Sequence, residues 1–144
     1  NLKKFKSFKY GGKKGIFEIY GGYYNKKPEH IIEGDVPFIG ASKENNGITE
    51  YYSVTDIGNN QKDTNSKVHS IDKKIFKGNC MTVANNGSAG STFYQENEFT
   101  CSHDVNILYL KENIWPLIIP LKLLSLGRFN FLRPFSVTRY SSEL

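Results

Sequence analysis

The chain has 144 residues, of which 38% are hydrophobic and 14% aromatic, and this composition excludes an intrinsically disordered protein. Its formal net charge is only +5, so the placement of the charges is more informative than their sum. The length suits a single domain over residues 1–144, with a basic lead-in over residues 1–14 and a core over residues 15–140. Because the chain starts at Asn1 and its single methionine is Met81, we expect it to be a fragment of a longer protein.

Basic residues gather at both ends of the chain, as a surface that binds a polyanion requires. Six lysines precede the first acidic residue, Glu18: Lys3, Lys4, Lys6, Lys9, Lys13 and Lys14. The C-terminal part contains all three arginines, Arg128, Arg133 and Arg139, each beside or near an aromatic residue. A planar guanidinium can stack on rings and bind phosphate or guanine through two hydrogen bonds. The alternative for the lysines is a solvated face that only keeps the protein soluble.

Short strand-like segments follow the basic lead-in. Residues rich in β-branched and aromatic side chains, bounded by glycine or polar turns, are typical of strands. The candidates in chain order are Phe17 to Tyr20, Val36 to Gly40, Thr49 to Val54, Met81 to Ala84 and Val105 to Leu110, and the last is expected to be an inner strand. Gly58 to Ser66 is expected to be a polar loop.

Two Asn-Asn-Gly tripeptides, Asn45 to Gly47 and Asn85 to Gly87, each follow an apolar run and precede a pair of aromatic residues. Such segments can be tight turns, because Asn and Gly tolerate positive φ. They can also present amide and hydroxyl groups to a polar ligand, since these groups both donate and accept hydrogen bonds. The candidate contact residues in and beside the two segments are Ser42, Lys43, Asn45, Asn46, Asn85, Asn86, Ser88 and Gln95.

The longest apolar run, residues 114–126, is too short to span a membrane. Asn113 can cap a helix and Pro116 fits a first helical turn, so we expect a buried helix that ends at Gly127. The predicted fold class is therefore α+β, an irregular mixed sheet of many short strands with one principal buried helix near the C-terminus.

The two cysteines, Cys80 and Cys101, lack the spacing of a zinc site, and no signal peptide is visible. We expect reduced structural thiols in a cytoplasmic protein with no metal and no cofactor. Cys101 and His103 are close in sequence, and a small hydrolase that uses one of them is a third hypothesis. Residues so close on an extended chain alternate faces and do not form a catalytic triad by themselves.

A set of motifs runs in a fixed order along the chain: Gly15 to Ile19 followed by Gly21-Gly22, Gly34 to Ser42, Asn45 to Ile48, Met81 to Val83, Gly90 to Gln95, Phe99 to Leu110, Arg128 to Pro134 and Thr138-Arg139. Taken together, they resemble the target recognition domain of type I restriction-modification specificity subunits, and of type II enzymes with a type I-like specificity part. The resemblance covers about residues 15 to 140. Two features depart from the pattern: Leu132 stands where a glycine is usual, and the family's spacer helix is absent from this chain.

The resemblance implies a fold like that of DNA methylase specificity domains and sequence-specific binding of duplex DNA. It implies no catalysis by this chain itself; methyltransferase or endonuclease subunits or domains would be its partners. On that basis the amides of Asn and Gln are expected to contact bases, and Arg128, Arg133 and Arg139 to contact bases or phosphates. The alternative from another functional class is a β-rich carbohydrate-binding module, in which Tyr23-Tyr24 and Tyr51-Tyr52 would stack on sugars.

Overall fold

The computed structural model describes residue 7, residues 9–63 and residues 65–114. The chain divides into two compact units, Asn1–Tyr109 and Leu110–Leu144. In the second unit the described residues form a short 3₁₀ turn, Glu112–Ile114. The helix predicted near the C-terminus and the three arginines lie outside the described residues.

Seven short strands form two sheets, and together with one short helix they give an α+β fold over the described residues. The four-stranded sheet has the order β1-β7-β4-β5, so β7 is an inner strand as predicted. The three-stranded sheet has the order β3-β2-β6 and is mixed, because β2 runs antiparallel to β3 and parallel to β6. The strands are β1 (Phe17–Gly21), β2 (Val36–Ile39), β3 (Ile48–Tyr52), β4 (Cys80–Ala84), β5 (Thr92–Gln95), β6 (Thr100–Cys101) and β7 (Val105–Leu110). The strands at all five predicted positions are confirmed.

Strand β2 lies between two hydrophobic clusters, because successive side chains in a strand point to opposite faces. Phe38 packs in a cluster with Tyr23, Tyr24, Tyr52 and Ile57. Its neighbour Ile39 packs in the other cluster, whose further members are Cys80, Phe99, Cys101, Val105 and Ile107. The end of β2 is thus buried on both faces, and the loop that leaves it starts from a fixed position.

The described helix, α1 (Val54–Asn59), was not predicted. Ser53 caps its N-terminus by accepting a hydrogen bond from the amide of Asp56. The Ser53-to-Asp56 spacing is a helix-start signal, but it follows directly on the β-rich residues of β3. The last two residues of the helix, Gly58 and Asn59, are those at which the sequence predicted the start of a polar loop.

The C-terminus of α1 is held by Lys74, whose side chain is fully buried. Its Nζ donates hydrogen bonds to the carbonyls of Ile57, Gly58 and Asn60, at 3.2, 2.7 and 2.7 Å. The last carbonyls of a helix have no partner within the helix, and a cation is favourable beside them. Burial lowers the pKa of Lys74, which is the usual effect of desolvation on an ammonium group.

Candidate nucleic-acid interface

The two Asn-Asn-Gly segments lie in two loops that come together in space. The first segment belongs to the 40–47 loop between β2 and β3, and the second to the 85–91 loop between β4 and β5. The amide of Ser88 donates a hydrogen bond to the carbonyl of Ala41 at 3.4 Å. A Cβ atom on Gly87 would lie 3.3 Å from that same oxygen, so glycine permits the close approach. Two segments about 40 residues apart in sequence therefore form one surface.

The 40–47 loop ends in a 3₁₀ turn, Asn45–Gly47, in which three consecutive residues have positive φ. Asn tolerates this region better than most residues, and Gly adopts it freely. The amide of Gly47 donates to the carbonyl of Glu44 at 2.9 Å, and Asn45 Nδ2 donates to the carbonyl of Ile48 at 3.1 Å. The turn interpretation of this tripeptide is confirmed for its backbone. The side chains of Lys43, Asn45 and Asn46 remain exposed to solvent.

The 40–47 loop is attached to strand β5 by a pair of amide side chains. Asn46 Nδ2 donates to Gln95 Oε1 and to the carbonyl of Tyr94, both at 3.2 Å. Gln95 Nε2 in turn donates to the carbonyl of Asn46 and to Thr82 Oγ1, both at 3.0 Å. Gln95 is only 4% exposed, whereas the other candidate contact residues in these loops are partly or fully exposed.

The 85–91 loop is attached to the turn of residues 102–104 that joins β6 to β7. The backbone amide of Asn85 donates to the carbonyl of Asp104 at 2.8 Å, and its Nδ2 donates to the carbonyl of His103 at 3.2 Å. Asn86 Nδ2 donates to Asp104 Oδ1 at 3.1 Å. Ser88 is partly buried beside Ala41 in the other loop.

The 102–104 turn adds polar groups that the sequence analysis did not place in the interface. The amide of Asp104 donates to Ser102 Oγ, and His103 Nε2 lies 3.4 Å from Asp104 Oδ1. Each contact joins residues one or two apart in sequence, but the link from the turn to the 85–91 loop spans 18 residues. No sequence pattern pointed to that link.

Comparison with known proteins decides the family. The sequence model of the family described as the type I restriction modification DNA specificity domain matches residues 5–133.

The chain belongs to this family.

A curated relative of the specificity domain is the type II restriction enzyme BgcI specificity subunit S.BcgI of Heyndrickxia coagulans. The two are 35% identical over 96 residues, which cover 67% of this chain and 23% of that subunit. The chain thus spans less than a quarter of the length of this relative. No solved structure matches the chain significantly. The expected resemblance to a target recognition domain is confirmed by the family match and by this relative.

The tyrosines proposed to stack on sugars are mostly core residues of the specificity domain. Tyr23, Tyr24 and Tyr52 are buried, and Tyr24 donates a hydrogen bond to the carbonyl of Ile57 at 2.8 Å. Tyr51 is exposed, so one ring of the four remains available on the surface. These positions do not form the aromatic platform that the carbohydrate-binding hypothesis required.

The described lysines of the lead-in, Lys9, Lys13 and Lys14, are exposed, as a surface that contacts phosphates requires. Within the described residues, no group of three or more His, Cys, Asp and Glu side chains is arranged to hold a metal ion. The same part of the chain contains no helix that is long and apolar enough to cross a membrane.

Both cysteines of the specificity domain are buried as thiols, and we expect neither to react in the native state. Burial raises the pKa of Cys80 to about 12 and that of Cys101 further. The reactive species is the thiolate, whose fraction at pH 8 is then negligible. Titration with a disulfide reagent at pH 8 should detect no thiol in the folded domain and two after denaturation. Rapid native labelling of Cys101 would contradict this structure and revive the thiol hypothesis.

Proposed function

We propose that this chain binds duplex DNA and recognises part of a specific sequence, as the target recognition domain of a restriction-modification specificity protein. The observation that carries the proposal is the convergence of the 40–47 loop, the 85–91 loop and the 102–104 turn on one surface in a member of this family. Methylation or cleavage is assigned to partner subunits or to other domains of the parent protein. The curated relative is itself named as a specificity subunit of a restriction enzyme.

The side chains on this surface have the chemistry that base edges require. Asn and Gln amides pair with adenine in the major groove, and a carboxylate accepts a hydrogen bond from the amino group of cytosine. Asn45, Asn85 and Asn86 are exposed and are the proposed base contacts, with Ser42, Asn46 and Ser88 beside them. Asp104 holds the Asn86 amide and is a candidate acceptor for cytosine. The bonds of buried Gln95 favour a positioning role over direct contact with a base.

Phosphate contacts would supply affinity that does not depend on sequence. The 85–91 loop carries no charged residue, so it adds little attraction to phosphates. Lys43 on the 40–47 loop is exposed and suits a phosphate or guanine contact. Arg128, Arg133 and Arg139 are proposed from the sequence to act in the same way. This division between positioning and base contacts is common in protein–DNA complexes.

A salt titration of DNA binding tests the proposal. The complete parent protein should bind duplex DNA with an affinity that falls steeply as salt rises, because each phosphate contact releases counterions. Replacing Arg128, Arg133 and Arg139 together by alanine should reduce the slope of log K against log salt by about 0.9 for each phosphate that is no longer neutralised. Filter binding or fluorescence anisotropy between about 50 and 200 mM salt measures both quantities.

The control is a triple alanine variant of Lys67, Asp72 and Lys73, exposed charged residues that lie outside the three converging segments. It should leave the slope nearly unchanged. A parent protein that binds no duplex DNA, or binds it without salt dependence, would contradict the proposed function. An unchanged slope in the arginine variant would show that the basic C-terminal part only keeps the protein soluble.

A further inference from the structure

We propose that Gln95 is a positioning residue for sequence recognition, which fixes the 40–47 loop relative to strand β5 and to the 85–91 loop that precedes it. This inference rests on the proposed function. In this proposal, buried Gln95 sets the distance between the base contacts of the 40–47 loop and those of the 85–91 loop. Gln95 itself touches no DNA in this proposal.

The hydrogen bonds of Gln95 are reciprocal and join three elements. Its Oε1 accepts from the Asn46 side chain, and its Nε2 donates to the Asn46 carbonyl and to Thr82 Oγ1. Thr82 lies on β4, Gln95 on β5 and Asn46 in the 40–47 loop. One amide therefore ties a loop of the three-stranded sheet to two adjacent strands of the four-stranded sheet.

Because Gln95 is buried, its hydrogen bonds favour one position of the 40–47 loop over others. A buried amide that loses its partners bears the full cost of desolvation, so alternative positions of the loop are disfavoured. Asn46 has a φ of 54°, a backbone conformation that the surrounding contacts must hold in place. Its side-chain nitrogen and its carbonyl are both engaged by β5, so the turn is fixed at the side chain and at the backbone.

The 85–91 loop is held by the same two strands, β4 and β5. It connects β4 to β5, whose paired residues include Thr82 with Phe93 and Cys80 with Gln95. The pairing of β4 with β5 thus fixes the position of the 85–91 loop. The hydrogen bonds of Gln95 fix the 40–47 loop relative to the same two strands. Base contacts gain specificity only when they are held in the geometry of the base pair, and a slack supporting contact reduces discrimination.

The test is the replacement Gln95→Met, which keeps the side-chain length and removes all three hydrogen bonds. The complete parent protein, assembled with its partners, is first used to map the methylated sequence in plasmid DNA. Affinities are then measured for a duplex with that sequence and for a shuffled duplex of the same composition. We expect the ratio of the two affinities to fall about tenfold, with binding of the shuffled duplex changed less than about twofold.

The matched control is Tyr24→Phe, which also removes a buried hydrogen bond, to the carbonyl of Ile57, but in the hydrophobic cluster of Phe38 and Tyr52, away from Gln95. It should lower the melting temperature and leave the affinity ratio unchanged. If Gln95→Met keeps the ratio, or lowers both affinities equally, the residue is only structural and the inference is wrong. A parent protein with no sequence preference at all would overturn both the proposed function and this inference, whereas an unchanged ratio in a sequence-selective parent overturns the inference alone.

A double-mutant cycle with Asn46→Ala separates positioning from an independent contact. Asn46→Ala keeps the backbone carbonyl that Gln95 binds and removes the side-chain bond. If Gln95 acts through Asn46, the loss of discrimination in the double variant should therefore be smaller than the product of the two single losses. A double variant in which the two single effects multiply would contradict the inference. If Gln95→Met does not fold, Thr82→Val is the second variant. It removes the acceptor that orients the Gln95 amide, together with the 3.4 Å hydrogen bond from Thr82 Oγ1 to the carbonyl of Phe93. The affinity ratio should again fall, and an unchanged ratio would overturn the proposal.

Discussion

Replacing Gly22 with alanine should destabilise the domain by about 3 kcal/mol or more, because the new methyl group has no space. A Cβ atom on Gly22 would lie 1.9 Å from the carbonyl oxygen of Ser102 and 2.9 Å from the sulfur of Cys101. The backbone cannot retreat easily, since the amide of Gly22 donates to the carbonyl of Val105 at 2.9 Å. Thermal unfolding followed by circular dichroism should show a melting temperature lower by roughly 10 °C or more.

The neighbouring glycine provides a matched control. Gly21 ends strand β1, and among the described residues a Cβ atom there would have no heavy atom within 4 Å outside its chain neighbours. Gly21→Ala should therefore shift the melting temperature by only a few degrees, corresponding to less than about 1 kcal/mol. Equal stability of the two variants would show that the contact between Gly22 and Ser102 is wrong.

Gly22 also connects the fold to the proposed interface. A Cβ atom at position 22 would clash with Ser102, the first residue of the 102–104 turn that holds the Asn86 side chain. A glycine pair at this point was part of the motif set that resembled the family. Its second member is the one that the packing requires, since it allows the segment after β1 to lie directly against the turn.

Five of the seven strands in the described residues were predictable because each has a local signal, whereas β5 and β6 were not among the predicted strands. Segments such as Val105 to Leu110 combine β-branched residues with alternation, and they form strands. Helix α1 was not predictable in the same way. Its cap at Ser53 follows β3 without a break, and its last carbonyls depend on Lys74, a residue distant in sequence. A short helix that relies on such a tertiary contact has little local propensity to reveal it.

The sequence identified polar residues in two of the three converging segments, but not which of these residues are buried or which contact one another. The sequence placed Gln95 among the base contacts with Asn86, since both carry amides. The structure separates them, with Gln95 buried on strand β5 and Asn86 exposed on a loop. Asp104 was overlooked because its partner, Asn86, lies 18 residues earlier. Which polar side chain faces solvent depends on strand register and on contacts between loops, and neither is a local property.

Replacing Asn86 with alanine should reduce sequence discrimination in the parent protein while the domain remains folded. The positive φ in this segment belongs to Gly87, at 58°, so alanine at position 86 meets no such backbone conflict. The Asn86 side chain donates to Asp104 at an exposed site, and removing this hydrogen bond should cost about 1 kcal/mol or less. A missing bidentate amide contact should cost about 1–3 kcal/mol of discrimination at one base pair, with adenine the expected base.

Two measurements on the same variant separate recognition from structure. Sequencing of methylated sites should show a relaxed target or an absence of modification, and thermal melting should show a nearly native transition. Asn65→Ala is the matched control, because Asn65 is an exposed asparagine outside the three converging segments and should alter neither result. A lower melting temperature with an unchanged target sequence would show that Asn86 acts only through its hydrogen bond with Asp104 and does not contact a base. A relaxed target with native stability would instead place the Asn86 amide against a base, since phosphate contacts carry no sequence information.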